Sequence, residues 1–431
     1  MPLKTSENYQ NATLSKKGYV IKWRYYFTVR IESINIAKSG NLENINLIFK
    51  KPLNNYFGNL SINVLVGENG TGKTTILKAI SEAVMNDNHS DIEISYSMVE
   101  NARTVNPCSK VIISTFSPHK QFKTVRNRKF SYIGPTSSNK LCELFLPLIK
   151  IVSSNDFKKQ EAIQNLLDEI GYTSIPKIEL DETMFKDDFI NSLDEKRQRI
   201  LRQIRDHFEN NLLEDNEKRY ITVDSLLLYT GGATQWVKDI KRFRVYNNFR
   251  VADLWFKSKN ENHDIPLTNF SSGELTLYYR FFRLIDVIED NSIVLIDEPE
   301  THLHPRWIQK YIKLLKDIFN KFKAHMIIAT HSPLITSDIP MECITGLKKD
   351  KISGRIVEYK LQERTMGTSP REILVEVFGV ENYFGELTLE SVSNIRRLIQ
   401  QKKFEEALRF FNDLGDSELK FELFVQLEQS L

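Results

Sequence analysis

Cysteine is scarce in this chain of 431 residues: there are three, Cys108, Cys142 and Cys343. Odd in number and far apart, they argue against a disulfide framework or a zinc site and fit a reducing, cytoplasmic setting. No apolar run approaches the ~18 residues that a membrane-spanning helix needs, so no membrane association is expected. The start, MPLKTSENYQNATLSKKG, is polar and lacks the apolar stretch of a signal peptide. Neither sign of charge prevails. The 59 basic and 56 acidic residues leave a net charge of +3, which excludes a global nucleic-acid signature. A local basic patch such as KTVRNRKF (123–130) could still touch nucleic acid, although a solvated loop accounts for it as well. Sustained heptads, low-complexity tracts and internal repeats are missing too, so a long coiled coil is not expected.

What is present is a length suited to about two or three domains and an alternation of strand and helix patterns. YVIKWRYYFTVRIESI (19–34) alternates apolar and polar residues as half-buried strands do, and INLIFK (45–50) is a second short strand. SINVLV (61–66) is continuously apolar and runs into a glycine-rich loop and the helical pattern KTTILKAISEAVM. From about 140 to 245 the texture turns helical, highly charged and poor in β-character. Near 265 the alternation resumes, with SIVLID and HMIIAT as buried strands between helices. Such strands flanked by helices predict a parallel sheet covered on both faces.

The loop GENGTGKTT (67–75) fits the phosphate-binding pattern G-x-x-x-x-G-K-[ST] in its required strand-to-helix setting. Gly67, Gly70 and Gly72 let the backbone turn its N–H groups towards phosphate oxygens, with Asn69 and Thr75 on the same loop, and the helix start adds positive potential. Lys73 can reach the β- and γ-phosphates of ATP, and the Thr74 hydroxyl can join a Mg²⁺ shell. The second chemical signal is IVLIDEPETHLHP (293–305), where two adjacent carboxylates end a strand. Asp297 suits Mg²⁺, while Glu298 suits a general base acting on water near the γ-phosphate. A divalent cation makes the pair of like charges tolerable.

NFSSGELTLYY (269–279) starts a helix before that strand, and IIATHSPLI (327–335) ends a further buried strand in Thr330 and His331. In this order the four motifs resemble the ATP-binding-cassette ATPases, within them the branch that includes the RecF-like and overcoming-lysogenization-defect (OLD) proteins. The resemblance covers roughly residues 20–135 and 265–345. It implies an α/β head: a mixed sheet with a parallel phosphate-loop core and an antiparallel β subdomain. It also implies split sites, so that a head-to-tail dimer or a higher homo-oligomer is expected. Ser271, Ser272, Gly273 and Glu274 would complete the nucleotide site of the opposite copy, with Ser272 and Gly273 at its γ-phosphate. His331 would be the switch histidine, acting with Glu298, and Glu300 to His304 would lie along the dimer seam. SSGE lacks the usual second glycine and glutamine. The Q-loop glutamine, a further Mg²⁺ contact, is best placed at Gln121.

The expected organisation is a first half of the head at 1–135 and a mostly helical insertion at 136–264. The second half follows at 265–360, with a helical tail at 361–431. In the tail, Val392, Ile395, Leu398 and Ile399 line one helical face. Ala407, Leu408, Phe411 and Leu414 line another, and Leu419, Leu423 and Leu427 a third; these either pack together or dock a partner. After His331 there is no Glu followed by a D-x-D pair and no H-N-H constellation, so no nuclease of its own is expected. The whole resembles the ATPase subunits of bacterial anti-phage systems, Septu and retron first and PARIS second. That implies an ATP-hydrolysing scaffold or sensor controlling a separately encoded nuclease. A RecF-like repair or recombination ATPase that binds DNA is the alternative.

Overall fold

The computed structural model describes residues 29–430, leaving out 87–89, 98–106, 117–121, 123–127, 135–139, 174, 181–185, 212, 216–217, 233–234, 237, 240–250, 261–262, 362 and 381–382. The candidate Gln121 and most of the basic stretch 123–130 fall outside the described residues. Its centre is a seven-stranded sheet. In chain order its strands are β3 (Ser61–Gly67), β5 (Lys110–Thr115), β6 (Phe130–Ile133), β12 (Ser292–Asp297), β13 (Ala324–Thr330), β14 (Ile344–Lys349) and β15 (Ile356–Tyr359). They lie in the order β15-β14-β3-β13-β12-β5-β6, and every pairing is parallel except β14 with β15.

Continuous apolar runs become central strands because both faces are covered. Val64, Val66, Val294, Ile296, Met326 and Ile328 enter one core, while Leu65, Ile293, Leu295, Ile327 and Ala329 enter the other. The second core is closed by α1 (Lys73–Met85) and by a three-stranded antiparallel sheet of β1 (Ile31–Ser39), β2 (Leu42–Ile48) and β4 (Ile92–Tyr96), ordered β2-β1-β4. The first core takes in α2 (Lys140–Val152), α3 (Phe157–Ile170), α7 (Ser272–Val287) and α8 (Pro305–Phe319). Between α3 and α7 the chain also forms the short helices α4 (Asp187–Asn191) and α6 (Val223–Leu227), with the longer α5 (Glu195–Asn210) between them.

The insertion departs from the mostly helical texture expected for 136–264. It carries a five-stranded antiparallel sheet, ordered β11-β10-β7-β9-β8, from β7 (Lys177–Leu180), β8 (Leu213–Asp215), β9 (Lys218–Ile221), β10 (Val251–Lys257) and β11 (Asp264–Pro266). Four of the five strands have three or four residues, too short to impose a period of two on a charged stretch.

The tail helices α11 (Glu386–Gln400), α12 (Phe404–Asn412) and α13 (Glu418–Ser430) follow a short α9 (Pro333–Thr336) and α10 (Pro370–Glu376). Their apolar faces close on one another: Val392, Ile395, Leu398 and Ile399 meet Ala407, Leu423 and Leu427, with Phe411, Leu414 and Leu419 at the edge. Leu408 is the exception, 41% exposed.

One buried polar group pins the two sheets together. His325 on β13 is fully buried; its Nδ1 accepts from the Ile31 backbone N–H at 3.1 Å and its Nε2 meets Asn63 Oδ1 at 2.9 Å. Burial, with Arg30 and Lys51 nearby, pushes the imidazole down to about 3. An unfolded chain protonates this histidine near 6.5, so the neutral-form stability is intact above that value and is lost as pH falls towards 3. Unfolding measured between pH 7 and 5 is therefore expected to show stability falling by up to ~1.4 kcal/mol per pH unit from this residue. A His325→Gln variant should flatten the slope, and an unchanged slope would refute the assignment.

Candidate nucleotide site

The carboxyl ends of the central strands line up in register. Asp297 stands opposite Thr115 on one side and Ala329 on the other, and Thr330 stands opposite Val66. Parallel sheets gather their chemistry at this edge. The turn from β3 into α1 holds Gly67, Gly70 and Gly72 at φ of 153°, 81° and 81°, which glycine adopts at no steric cost. At Gly67 the packing is decisive too, because a Cβ there would sit 2.3 Å from the Leu347 carbonyl oxygen. Thr71 tightens the loop by donating from Oγ1 to the Glu68 carbonyl at 2.8 Å. The Lys73 ammonium donates to the Gly67 and Glu68 carbonyls at 2.7 and 2.9 Å, and burial lowers its proton affinity. Asn69 is exposed and Thr75 half-buried on the same turn.

The two acidic residues face different partners. Asp297 accepts from Thr74 Oγ1 at 2.8 Å and from Thr115 Oγ1 at 3.3 Å. Burial pushes its carboxyl up to about 6 against the pull of those two donors. Thr74 and Asp297 thus present hard oxygen donors in contact, the chemistry that suits Mg²⁺. Glu298 sits at φ 47°, a left-handed conformation uncommon outside glycine, and its carboxylate lies 3.5 Å from His331 Nδ1. The hydrogen bond to His331 holds Glu298 below the usual carboxylate range and raises the imidazole.

The remaining candidates lie at the start of α7. Ser271 caps the helix and accepts from the Glu274 N–H, while the Glu274 carboxylate accepts from Ser271 N and Oγ at 3.0 and 2.7 Å. Ser271 and Glu274 are therefore engaged with each other, and a capping box explains the residue types on its own. Ser272 is exposed, and Gly273 faces Trp307 and His304 at the head of α8. No hydrogen bond or ion pair among the described residues joins these four to the phosphate loop. In the following loop His302 and His304 face outward, whereas Glu300 turns in. His304 caps α8 through Nδ1, with Pro305 in the first turn.

Three participants were not legible as such in the sequence. Thr115 could have been found from its place at the end of a parallel strand. Glu300 was expected only along the dimer seam, and its contact with His331 was not legible; Arg280 could not be found, because a charged residue in a helical pattern reads as surface. Arg280 is 4% exposed and donates from α7 to the carbonyls of Pro299 and Thr301, each at 2.5 Å. Its guanidinium lies 4.0 Å from the Phe116 ring centroid, and burial lowers its pKa to about 10.

A parallel core with a phosphate loop at its carboxyl edge, an acidic pair on the next strand but one and an added antiparallel sheet define an ATP-binding-cassette type of ATPase head. Residues 62–338 match the family described as "AAA domain, putative AbiEii toxin, Type IV TA system", and the chain belongs to that family. It is similar to Protein ea59 of Escherichia phage lambda, 24% identical over 405 residues, covering 86% of this chain and 68% of that protein. It is also similar to Septu protein PtuA of Bacillus thuringiensis, 22% identical over 402 residues, covering 89% and 93%. Retron Vc95 probable ATPase of Vibrio cholerae is 28% identical over 147 residues, covering 32% and 28%.

Proposed function

We propose that this chain is the ATP-binding and hydrolysing subunit of an anti-phage defence complex, and that it controls a separately encoded nuclease. The observation that carries the reading is the meeting of Lys73, Thr74, Asp297, Glu298 and His331 at one sheet edge. The similarity to Septu protein PtuA over 89% of the chain supports the defence assignment. In this reading the loop N–H groups and Lys73 hold the phosphates of ATP. Thr74 and Asp297 hold Mg²⁺, which supplies charge neutralisation when bound. Glu298 orients a water and takes its proton, and His331 contacts the terminal phosphate. Ser272 and Gly273 of a second copy close the site, so hydrolysis needs at least a dimer.

The tail supports docking in a way that its sequence did not show. Its predicted faces close on one another except at Leu408, yet Phe421 and Phe424, about one turn apart on α13, remain 67% and 44% exposed. Exposed aromatics of this size are typical interface anchors. No helix among the described residues is long and apolar enough to cross a membrane, and a cytoplasmic complex is proposed. Tagged purification from the native operon, with the mass of the complex and of each chain, tests the reading. A nuclease at fixed stoichiometry, lost on Phe421→Ser plus Phe424→Ser, is expected. A lone homodimer with neighbouring genes expressed would refute nuclease control.

A further inference from the structure

Beyond its expected place along the dimer seam, Glu300 has no task in the nucleotide reading, yet its surroundings are those of a built contact. Its side chain is 9% exposed, an expensive place for a carboxylate without donors. One oxygen, Oε1, accepts two hydrogen bonds from the end of β13 and faces the imidazole of His331. Thr330 Oγ1 donates at 2.7 Å and the His331 backbone N–H at 2.9 Å, and His331 Nδ1 lies at 3.3 Å. The other oxygen, Oε2, is buried and has no hydrogen-bond partner among the described residues. Glu298 faces the same imidazole nitrogen from 3.5 Å, so two carboxylates compete for one Nδ1–H. Lys73 is the other charge felt by this histidine.

The two carboxylates differ in what fixes them. Glu298 is about a third exposed and is free to swing. Glu300 is anchored by a hydroxyl and a backbone N–H, whether or not the ring is there. If Glu298 alone oriented His331, turning towards water would release the histidine at the moment it is needed. An anchored second carboxylate removes that conflict: it keeps Nδ1 occupied and leaves Nε2 for the terminal phosphate.

We propose that Glu300 is the positioning residue of His331, holding the ring through Nδ1 while Glu298 is released to the attacking water. The proposal rests on the nucleotide site described above. The test compares the full-length protein with Glu300→Gln, His331→Ala and the double variant, measuring ATP hydrolysis and binding of a fluorescent ATP analogue.

Glu300→Gln is expected to lower kcat by ~10–100-fold, by analogy with the loss when the partner that orients a metal-bound histidine is removed. The KM for ATP and analogue binding should change little. The decisive readout is the double variant, which should be no slower than His331→Ala alone, because residues that act as a unit are not additive. Losses that multiply would overturn the proposal, since Glu300 would then act by another route. An unchanged kcat in Glu300→Gln would overturn it as well. Should His331→Ala itself hydrolyse ATP at the normal rate, the histidine's own role falls and Glu300's with it. If Glu300→Gln is insoluble, Glu300→Asp makes the same comparison, with a carboxylate too short to keep both the backbone and the ring.

Discussion

Glu298→Gln should lower ATP hydrolysis by ~10²–10⁴-fold while leaving ATP binding intact. The substitution keeps the shape of the side chain and removes its ability to accept a proton. In the proposed reading the glycine turn and Lys73 carry binding, so the affinity for nucleotide is expected to hold. The hydrogen bond from His331 holds Glu298 below the usual carboxylate range, which suits the base role proposed for it. Lys73→Ala should do the opposite. The ammonium rests on two loop carbonyls, and in the proposed reading its loss removes a fixed cation from the phosphates, so binding itself should weaken. Single-turnover hydrolysis and equilibrium binding on both variants separate the two effects. An unchanged hydrolysis rate in Glu298→Gln would remove that residue from catalysis, and unchanged affinity in Lys73→Ala would remove the loop from binding.

The contrast between what could and could not be read has a physical cause. β3, β12 and β13 were legible because both of their faces are buried, which writes an unbroken apolar run into the sequence. The glycine loop was legible because only glycine tolerates φ near 81° without strain. The sheet of the insertion was not, because strands as short as Leu213–Asp215 are held by their neighbours and leave no period of their own. The tail faces were legible as apolar stripes, but their mutual packing depends on which helix lies opposite. Arg280 shows the same limit at the site, and Glu300, expected along the dimer seam, was not legible as a partner of His331. A charged residue within an amphipathic pattern is read as solvated, and only tertiary contacts reveal a buried carboxylate on a histidine or a buried guanidinium on a loop.

Arg280 carries the last of the large effects. It is the side chain on α7 that grips the loop after Asp297, through the Pro299 and Thr301 carbonyls, with Phe116 beyond β5 under its guanidinium. Arg280→Met keeps much of the stem but strands one buried and one half-buried acceptor, a loss of about 2–4 kcal/mol. Part of that returns because a cation no longer has to be held out of water, so a net destabilisation of about 2–3 kcal/mol is expected from urea unfolding. Arg280→Lys should recover only part, since an ammonium cannot reproduce the planar two-carbonyl grip. The functional loss should exceed the stability loss. The same loop holds Glu298 and Glu300, and its far end meets the start of α7 at Gly273 and His304. A loosened loop would therefore misplace both carboxylates around His331 and detach them from the helix expected to meet a second copy's nucleotide. Hydrolysis by the folded fraction of Arg280→Met should fall at least tenfold with binding preserved. Normal turnover in that fraction would show that the grip serves the fold alone.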